Sequence, residues 1–279
     1  MTTTQNSTPS SRSQESLRHQ YEVEKELAAR LRASDRSERT ELFKTLYTEF
    51  FERVPDHPRL SRREAPEHSG RSVRVQLNML RSLLAADKVL LEFAPGDCRL
   101  SRAAAPLVKK VIGVDISDQR SAGDVFPGNF ELLVYDGYTL PLADASVDVV
   151  FSYQFMEHLH PDDVEPHFAL VSRVLKPGGA YVFDTPHRFT GPHDIARLYG
   201  DDLVCLHLQE WTYKELRAIV SRQGFGHSYA FRRGRPLKSA WGNALNDTAE
   251  TVFGVLPRRL RRPVCRRKFD SVAMMAVKK

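Results

Sequence analysis

Acidic residues punctuate three strand-like apolar runs: Glu92 in "KVLLEF", Asp115 in "VIGVDIS" and Asp136 in "FELLVYD". In an open parallel sheet such strand ends share one edge, where ligands bind at the switch in strand order. The three carboxylates could therefore line one cleft. Asp115 follows Ala94 by about twenty residues, the interval at which a carboxylate reaches a ribose and accepts from both of its hydroxyls. In the loop "EFAPGDC", Gly96 alone remains of the three glycines that a dinucleotide fingerprint would show; Ala94 and Cys98 hold the outer places. Farther on, His158 and His160 in "MEHLHP" and His187 and His193 in "TPHRFTGPHD" offer side chains that ionise near neutrality, as a general base must.

The elements that would hold these residues alternate between strand and helix, which predicts parallel βαβ units. A helix at about 71–86 leads into "KVLLEF"; "LSRAAAPLVKK" is helical; "VIGVDIS", "FELLVYD" and "SVDVVFSYQ" are strands. "DDVEPHFALVSRVL" is a helix that the glycines of "KPGG" would close, and "AYVFDTPH" is a fifth strand. "TYKELRAIVSRQGF" is a helix stopped at Gly224, and "HSYAFRR" and "SVAMMAVKK" are two late strands. Upstream, residues 17–54 carry two helical patterns, with Leu42, Leu46 and Phe50 on one stripe and Phe43, Tyr47 and Phe51 on the next. "PDHPRLSRREAPEHSG" reads as a connector, with a soft boundary near Gly70. The expected organisation is a disordered tail over 1–16, a helical lid or dimer contact over 17–69, and one domain over 70–279 with a basic insertion at about 234–268.

The ordered series "VLLEFAPGDCRLS", "VIGVDIS", "VYDGYTLPLADASVDVVFSYQFMEHLHPDDV" and "RVLKPGGAYVFDTPH" resembles the motifs of class I S-adenosylmethionine-dependent methyltransferases, particularly those with small-molecule acceptors. The resemblance covers about residues 71–233 and the final strand. It implies a Rossmann-like, doubly wound α/β fold: seven strands, mostly parallel, with an antiparallel last strand and added N-terminal helices. It also implies that Glu92, Ala94 and Gly96 line the methionine part of S-adenosyl-L-methionine, and that Asp115, with Ile116 beside it, binds the ribose. Asp136 and Gly137 would flank the adenine, and Tyr153 and Gln154 would border the methyl group, whose transfer leaves S-adenosyl-L-homocysteine. This cofactor has no phosphate, so its loop can do without the amide-rich diphosphate cradle of a dinucleotide site. No G-x-x-x-x-G-K-[ST] loop is present either. The sulfonium makes the methyl electrophilic, and the protein's task is to align a nucleophile with the C–S bond. A hydroxyl or protonated-amine acceptor also needs a base. His158 and His160 are candidates, although both could instead support the cofactor pocket, while His187, Arg188 and His193 fall where the acceptor would be covered.

Composition narrows the partners. No run of eighteen apolar residues occurs, and "MTTTQNSTPSSRSQES" lacks a signal peptide's apolar core, so a cytoplasmic protein is expected. Three cysteines without a C-x-x-C pair indicate neither a disulfide framework nor a thiolate zinc site. His187, His193, Asp194, His207 and Glu210 could be imagined around an ion, but their spacing is loose and no metal is expected. Of 41 Lys+Arg, residues 228–279 hold 13 against 3 Asp+Glu, leaving 28 against 32 elsewhere. The seven basic residues from Arg258 to Lys268 are either a solvated face or a site for an anionic acceptor or an anionic membrane surface. Nucleic acid is disfavoured, because aromatic residues are sparse there and "SYQF" stands where base amino-methylating enzymes carry N/D-P-P-Y/F. A nucleic-acid methyltransferase and a non-catalytic cofactor-binding subunit are the alternative readings.

Overall fold

The computed structural model describes residues 12–60, 66–120, 123–232, 234–266 and 269–279. Its central strands are near-continuous apolar runs, as strands buried on both faces require. They are β1 (Val89–Phe93), β2 (Lys110–Asp115), β3 (Phe130–Val134), β4 (Val147–Tyr153) and β5 (Leu175–Pro186), all parallel. β6 (Phe225–Arg232) and β8 (Ser271–Lys278) complete the sheet in the order β3-β2-β1-β4-β5-β8-β6, with β8 antiparallel to both neighbours. This is the doubly wound sheet that the motifs imply, extended at its far edge by the two-residue β7 (Arg235–Pro236).

Alternation along each strand sends successive side chains to opposite faces. Leu91, Ile112 and Val150 face Phe168, Leu216 and Val220 of α5 (Pro161–Val174) and α6 (Tyr213–Arg222). Leu90, Val111, Val149 and Phe151 face Met79, Leu80 and Leu100 of α3 (Pro66–Leu80) and α4 (Arg99–Ala104). Register then sets the functional edge. Phe93 lies level with Val114 on one side and Ser152 on the other, so β1, β2 and β4 end together where the strand order reverses.

The N-terminal helices α1 (Gln14–Ala33) and α2 (Arg36–Arg53) pack as a third apolar cluster. Leu27, Leu46 and Phe50 close on Leu206 and Leu208, in the loop after β5. Ser13 caps α1, so the helix starts within the stretch 1–16 expected to be a tail; residues 1–11 lie outside the described residues. Gly70 falls inside α3, which runs earlier than the expected 71–86. The basic insertion folds into α7 (Ala240–Gly254) and α8 (Arg258–Cys265). One local expectation is overturned. α5 is not closed by the glycines of "KPGG"; it ends at Val174, its C-cap Leu175 is extended, and Lys176 to Gly179 already belong to β5. The pairing with β4 jumps from Val147–Leu175 to Val149–Ala180, so the two glycines form a bulge. A Cβ on Gly179 would lie 2.8 Å from the Lys176 carbonyl oxygen, which explains the residue type.

α2 is fixed to the sheet domain by a buried ion pair. Arg39 Nε and Nη2 donate to Asp163 Oδ2 and Oδ1 at 2.8 and 3.0 Å, and the Tyr138 hydroxyl donates to the same carboxylate at 2.9 Å. The two charged side chains are only 3% and 9% exposed. Removing one partner of such a pair strands the other charge and costs about 3–5 kcal/mol. We expect Arg39→Ala to lower the urea unfolding free energy by about 3 kcal/mol, and Arg39→Ala with Asp163→Ala to cost less than the sum of the single changes. Additive losses would show that the two groups are not coupled.

Candidate active site

The loop after β1 visits the left-handed region at alternate residues: Ala94 (φ 50°), Gly96 (φ 58°) and Cys98 (φ 58°). Non-glycine residues pay roughly 1–2 kcal/mol for that conformation, so the surroundings must hold it. The Ala94 N–H donates to the Val114 carbonyl at 2.8 Å, and the buried Cys98 thiol donates to the Gly96 carbonyl at 3.6 Å. Burial pushes the Cys98 thiol up to about 12, which leaves it an unreactive packing group. Glu92 turns toward α4, where Ser101 Oγ donates to its carboxylate at 2.5 Å, and burial pushes it up to about 7. Asp115 is 5% exposed and accepts from the N–H groups of Gly96 at 3.4 Å and Ser117 at 3.3 Å. Burial raises its pKa, against these bonds. Ile116 is half-buried beside it.

After β3, Asp136 accepts from the N–H groups of Tyr138 and Thr139, an Asx turn that brings Gly137 to φ 89°. The ring of Phe43 on α2 lies 2.9 Å from where a Gly137 Cβ would stand. Across the cleft, Arg59 Nη2 lies 3.2 Å from the corresponding Gly96 position. After β4, the Tyr153 ring stacks on Phe151. Gln154 takes φ 51°, and its Nε2 donates to Asp184 Oδ1 at 2.7 Å. The nine expected cofactor positions thus share the carboxyl edge of β1 to β4, although the side chains of Glu92, Asp136 and Gln154 are turned to neighbours of their own.

The histidines divide. His158 and Glu157 sit on a 3-10 turn just past β4. His158 Nδ1 is 3.0 Å from the Leu206 carbonyl, to which it can only donate, and burial pushes this imidazole down to about 3. His160 caps α5, with its Nδ1 accepting from the Asp162 N–H at 3.2 Å. His187 is fully buried. Its Nδ1 accepts from the Phe189 N–H, and its Nε2 donates to Glu250, which also accepts from the Tyr213 and Lys214 N–H groups at the start of α6. Arg188 donates to the Glu210 carbonyl and to Glu215. His193 lies between Glu210 and Thr190. Of the expected acceptor contacts, His187 is buried, His193 is half-buried and Arg188 is exposed, each hydrogen-bonded within the chain, while His158 meets Glu157 and His207. Burial works against a charged His207, but its bond to Glu210 and the charges of Glu157 and Asp194 raise it to about 9. Burial likewise pushes Glu157 up to about 7. Arg59, within the connector, and Tyr47, one of an apolar stripe, gave no chemical signal in the sequence. Both lie near this edge: the charge of Arg59 acts on Asp115 and His158, and the charges of Arg59, Asp115 and Glu157 act on Tyr47.

Comparison with known proteins agrees with this geometry. A methyltransferase-domain family profile matches residues 91–183. A probable S-adenosylmethionine-dependent methyltransferase of Mycolicibacterium smegmatis is 30% identical over 148 residues, 50% of this chain and 52% of the relative. The chain thus spans about half the length of that relative. An uncharacterised methyltransferase of Geobacillus kaustophilus is 28% identical over 155 residues, 52% of this chain and 72% of the relative. In fold, the chain is similar to a S-adenosylmethionine-dependent methyltransferase from Archaeoglobus fulgidus. That pair has TM-score 0.51 and 18% identity, over 75% of this chain and 94% of the other. It is also similar in fold to a methyltransferase of Haloferax volcanii solved with the activator Trm112, with TM-score 0.52 and 17% identity over 77% and 95%. The ordered motifs, the strand order and the domain match over residues 91–183 make this chain similar to class I S-adenosylmethionine-dependent methyltransferases.

Proposed function

We propose that this protein methylates an oxygen of a small molecule, such as a sugar, a glycolipid or a specialised metabolite, with nitrogen as the second choice of acceptor atom. The observation that carries this reading is the placement of α2 and its connector over the strand ends, Phe43 against Gly137 and Arg59 against Gly96. That cover favours a compact acceptor over a polymer. The three free, buried cysteines support a reducing, cytoplasmic setting, and among the described residues no helix is long and apolar enough to cross a membrane.

The residues fit the cofactor. Arg59 Nη2 stands 3.2 Å from where a Gly96 Cβ would be, and a guanidinium there suits the carboxylate of the methionine moiety. Asp115 is a buried acceptor at the end of β2, where ribose hydroxyls would donate. When bound, S-adenosylmethionine supplies an electrophilic methyl on sulfur. The chain's part is to bind and align: Arg59 holds charge, Asp115 orients the nucleoside, and the rim of Tyr153 and Gln154 shapes the approach. An attacking hydroxyl must also lose its proton. His158 is a weak base at about 3, and His160 has given its Nδ1 lone pair to the helix cap. In this reading neither residue is the general base that the sequence suggested.

The acceptor or its carrier is read as anionic. Arg258, Arg259, Arg262 and Arg266 surround the single carboxylate of Asp201. On the same helix Leu260 and Val264 are 61% and 49% exposed. Basic and apolar groups on one surface suit an anionic membrane face or a lipid-linked acceptor.

Three measurements test these readings. In calorimetric titration with S-adenosylmethionine, Asp115→Ala should weaken binding by about tenfold or more, the loss of a charged hydrogen bond worth about 1.5–3 kcal/mol. Gly96→Ala should weaken it more than Cys98→Ala does; unchanged affinity in Asp115→Ala would remove the ribose assignment. With a panel of hydroxyl and amine acceptors, S-adenosylhomocysteine should form with the hydroxyl compounds, and turnover confined to amines would reverse the choice of atom. Co-sedimentation with anionic vesicles should fall steeply with salt and with Arg258→Glu plus Arg262→Glu, whereas equal binding to neutral vesicles would rule out the charge-led surface.

A further inference from the structure

Glu157, His158 and His207 come together although 49 residues separate the last two in sequence. One donor atom from each lies within 4.8 Å of the others. Glu157 is 0% exposed, and while its Oε2 accepts from Thr185 Oγ1 at 3.0 Å, its Oε1 is buried without a hydrogen-bond partner among the described residues. A buried, unpartnered carboxylate oxygen is costly and calls for an explanation, an ion among them. The two imidazoles are held in matching fashion. His158 Nδ1 donates to the Leu206 carbonyl, and His207 Nδ1 lies 3.1 Å from Glu210 Oε1. Metal-binding histidines characteristically give their second ring nitrogen to a carbonyl or a carboxylate, which fixes the ring and leaves the other lone pair for the ion. With Nδ1 engaged in both rings, Nε2 is the nitrogen of each that has no hydrogen bond among the described residues. The other cluster of this kind among the described residues, Glu24, Asp194 and Cys205, differs, because Gln20 donates to its Glu24 and the N–H groups of Ala196 and His207 donate to its Asp194.

We propose that Glu157 Oε1, His158 Nε2 and His207 Nε2 bind one divalent first-row transition ion, with Glu210 and the Leu206 carbonyl as the groups that orient the two rings. Two histidines and one carboxylate suit zinc, manganese, iron or cobalt and leave open positions for an exogenous oxygen ligand. The sequence expectation of no metal rested on the spacing of loop residues, and Glu157 was not among them. The site begins three residues past Gln154, beside the edge where the methyl group is expected. Resting on the proposed O-methylation, its role there is to bind the acceptor hydroxyl and lower its pKa. The hydroxyl proton passes to solvent, the oxygen forms its bond to the methyl carbon as the C–S bond breaks, and the products are a methyl ether and S-adenosylhomocysteine.

The test uses the full chain stripped of metal and titrated with cobalt(II), followed by visible absorption and by calorimetry. One equivalent should give the d–d bands of a histidine- and oxygen-bound ion and raise the melting temperature. Glu157→Gln and His207→Asn should bind at least about tenfold more weakly, Glu210→Gln about 10–100-fold more weakly, and His227→Ala, on the exposed part of β6, like the parent. Circular dichroism melts of the metal-free variants separate a lost site from a lost fold. Absence of bands and heat with cobalt, manganese and zinc, or equal binding by Glu157→Gln, overturns the site. S-adenosylmethionine titrations with and without ion report on the cofactor site separately, so failure of one reading does not carry the other with it. An ion that binds but leaves hydroxyl methylation insensitive to chelator removes the catalytic role.

Discussion

The Glu210 carboxylate holds the loop between β5 and α6 in shape, and the geometry around the cleft depends on it. It is 1% exposed, and its Oε1 accepts from the N–H of His193, from His193 Nδ1 and from His207 Nδ1. Burial alone would raise its pKa; the two histidines instead pull it down to about 2. Gly191 lies so close to the carboxylate that a Cβ would stand 1.6 Å from Oε2. The same loop carries Leu206 and Leu208 under α1 and α2, and Arg32 of α1 donates to the carbonyls of Leu203, His207 and Leu208. Losing the charge on Glu210 would therefore loosen the covering helices as well as the ring of His207.

A second theme is that carboxylates inside this protein are held by backbone amides and by neutral or positive rings more often than by exposed cations. Glu250 accepts two N–H groups at the start of α6, where the helix dipole also favours a negative charge. Asp115 accepts two more, at the end of β2. Such bonds add geometric definition at modest net stability, about 1.5–3 kcal/mol each when one partner is charged. Their value at a functional edge is that each group keeps one orientation.

The sheet was legible in the sequence because its strands are apolar runs of strand length separated by turn signals, and their order followed from the motif series. Asp115 was legible for the same reason, as its place at a strand end and its distance from the loop are properties of the chain alone. The "KPGG" glycines misled, because a glycine pair closes a helix and builds a bulge equally well, and only the pairing of Val149 with Ala180 decides between the two. His187 and His193 drew attention by their type, and in the fold they are hydrogen-bonded to Glu250, Thr190 and Glu210. Arg59 and Tyr47 reach the cleft through the packing of α2 and its connector, a tertiary fact that no local pattern carries. The meeting of His207 with Glu157 is of the same kind, since it depends on how the loop folds back.

The buried pair of Arg39 and Asp163 has a kinetic consequence. With that pair and the three carbonyls on Arg32 holding α1 and α2 down, these helices cannot swing away as a rigid cap without exposing unpaired charge and the cluster around Phe50. Traffic through the cleft must then run by rotation of Phe43 and the Arg59 side chain, or by rare local opening of α2. In the proposed methyltransferase, opening slower than bond making would let the residence time of the spent cofactor set the pace of successive turnovers.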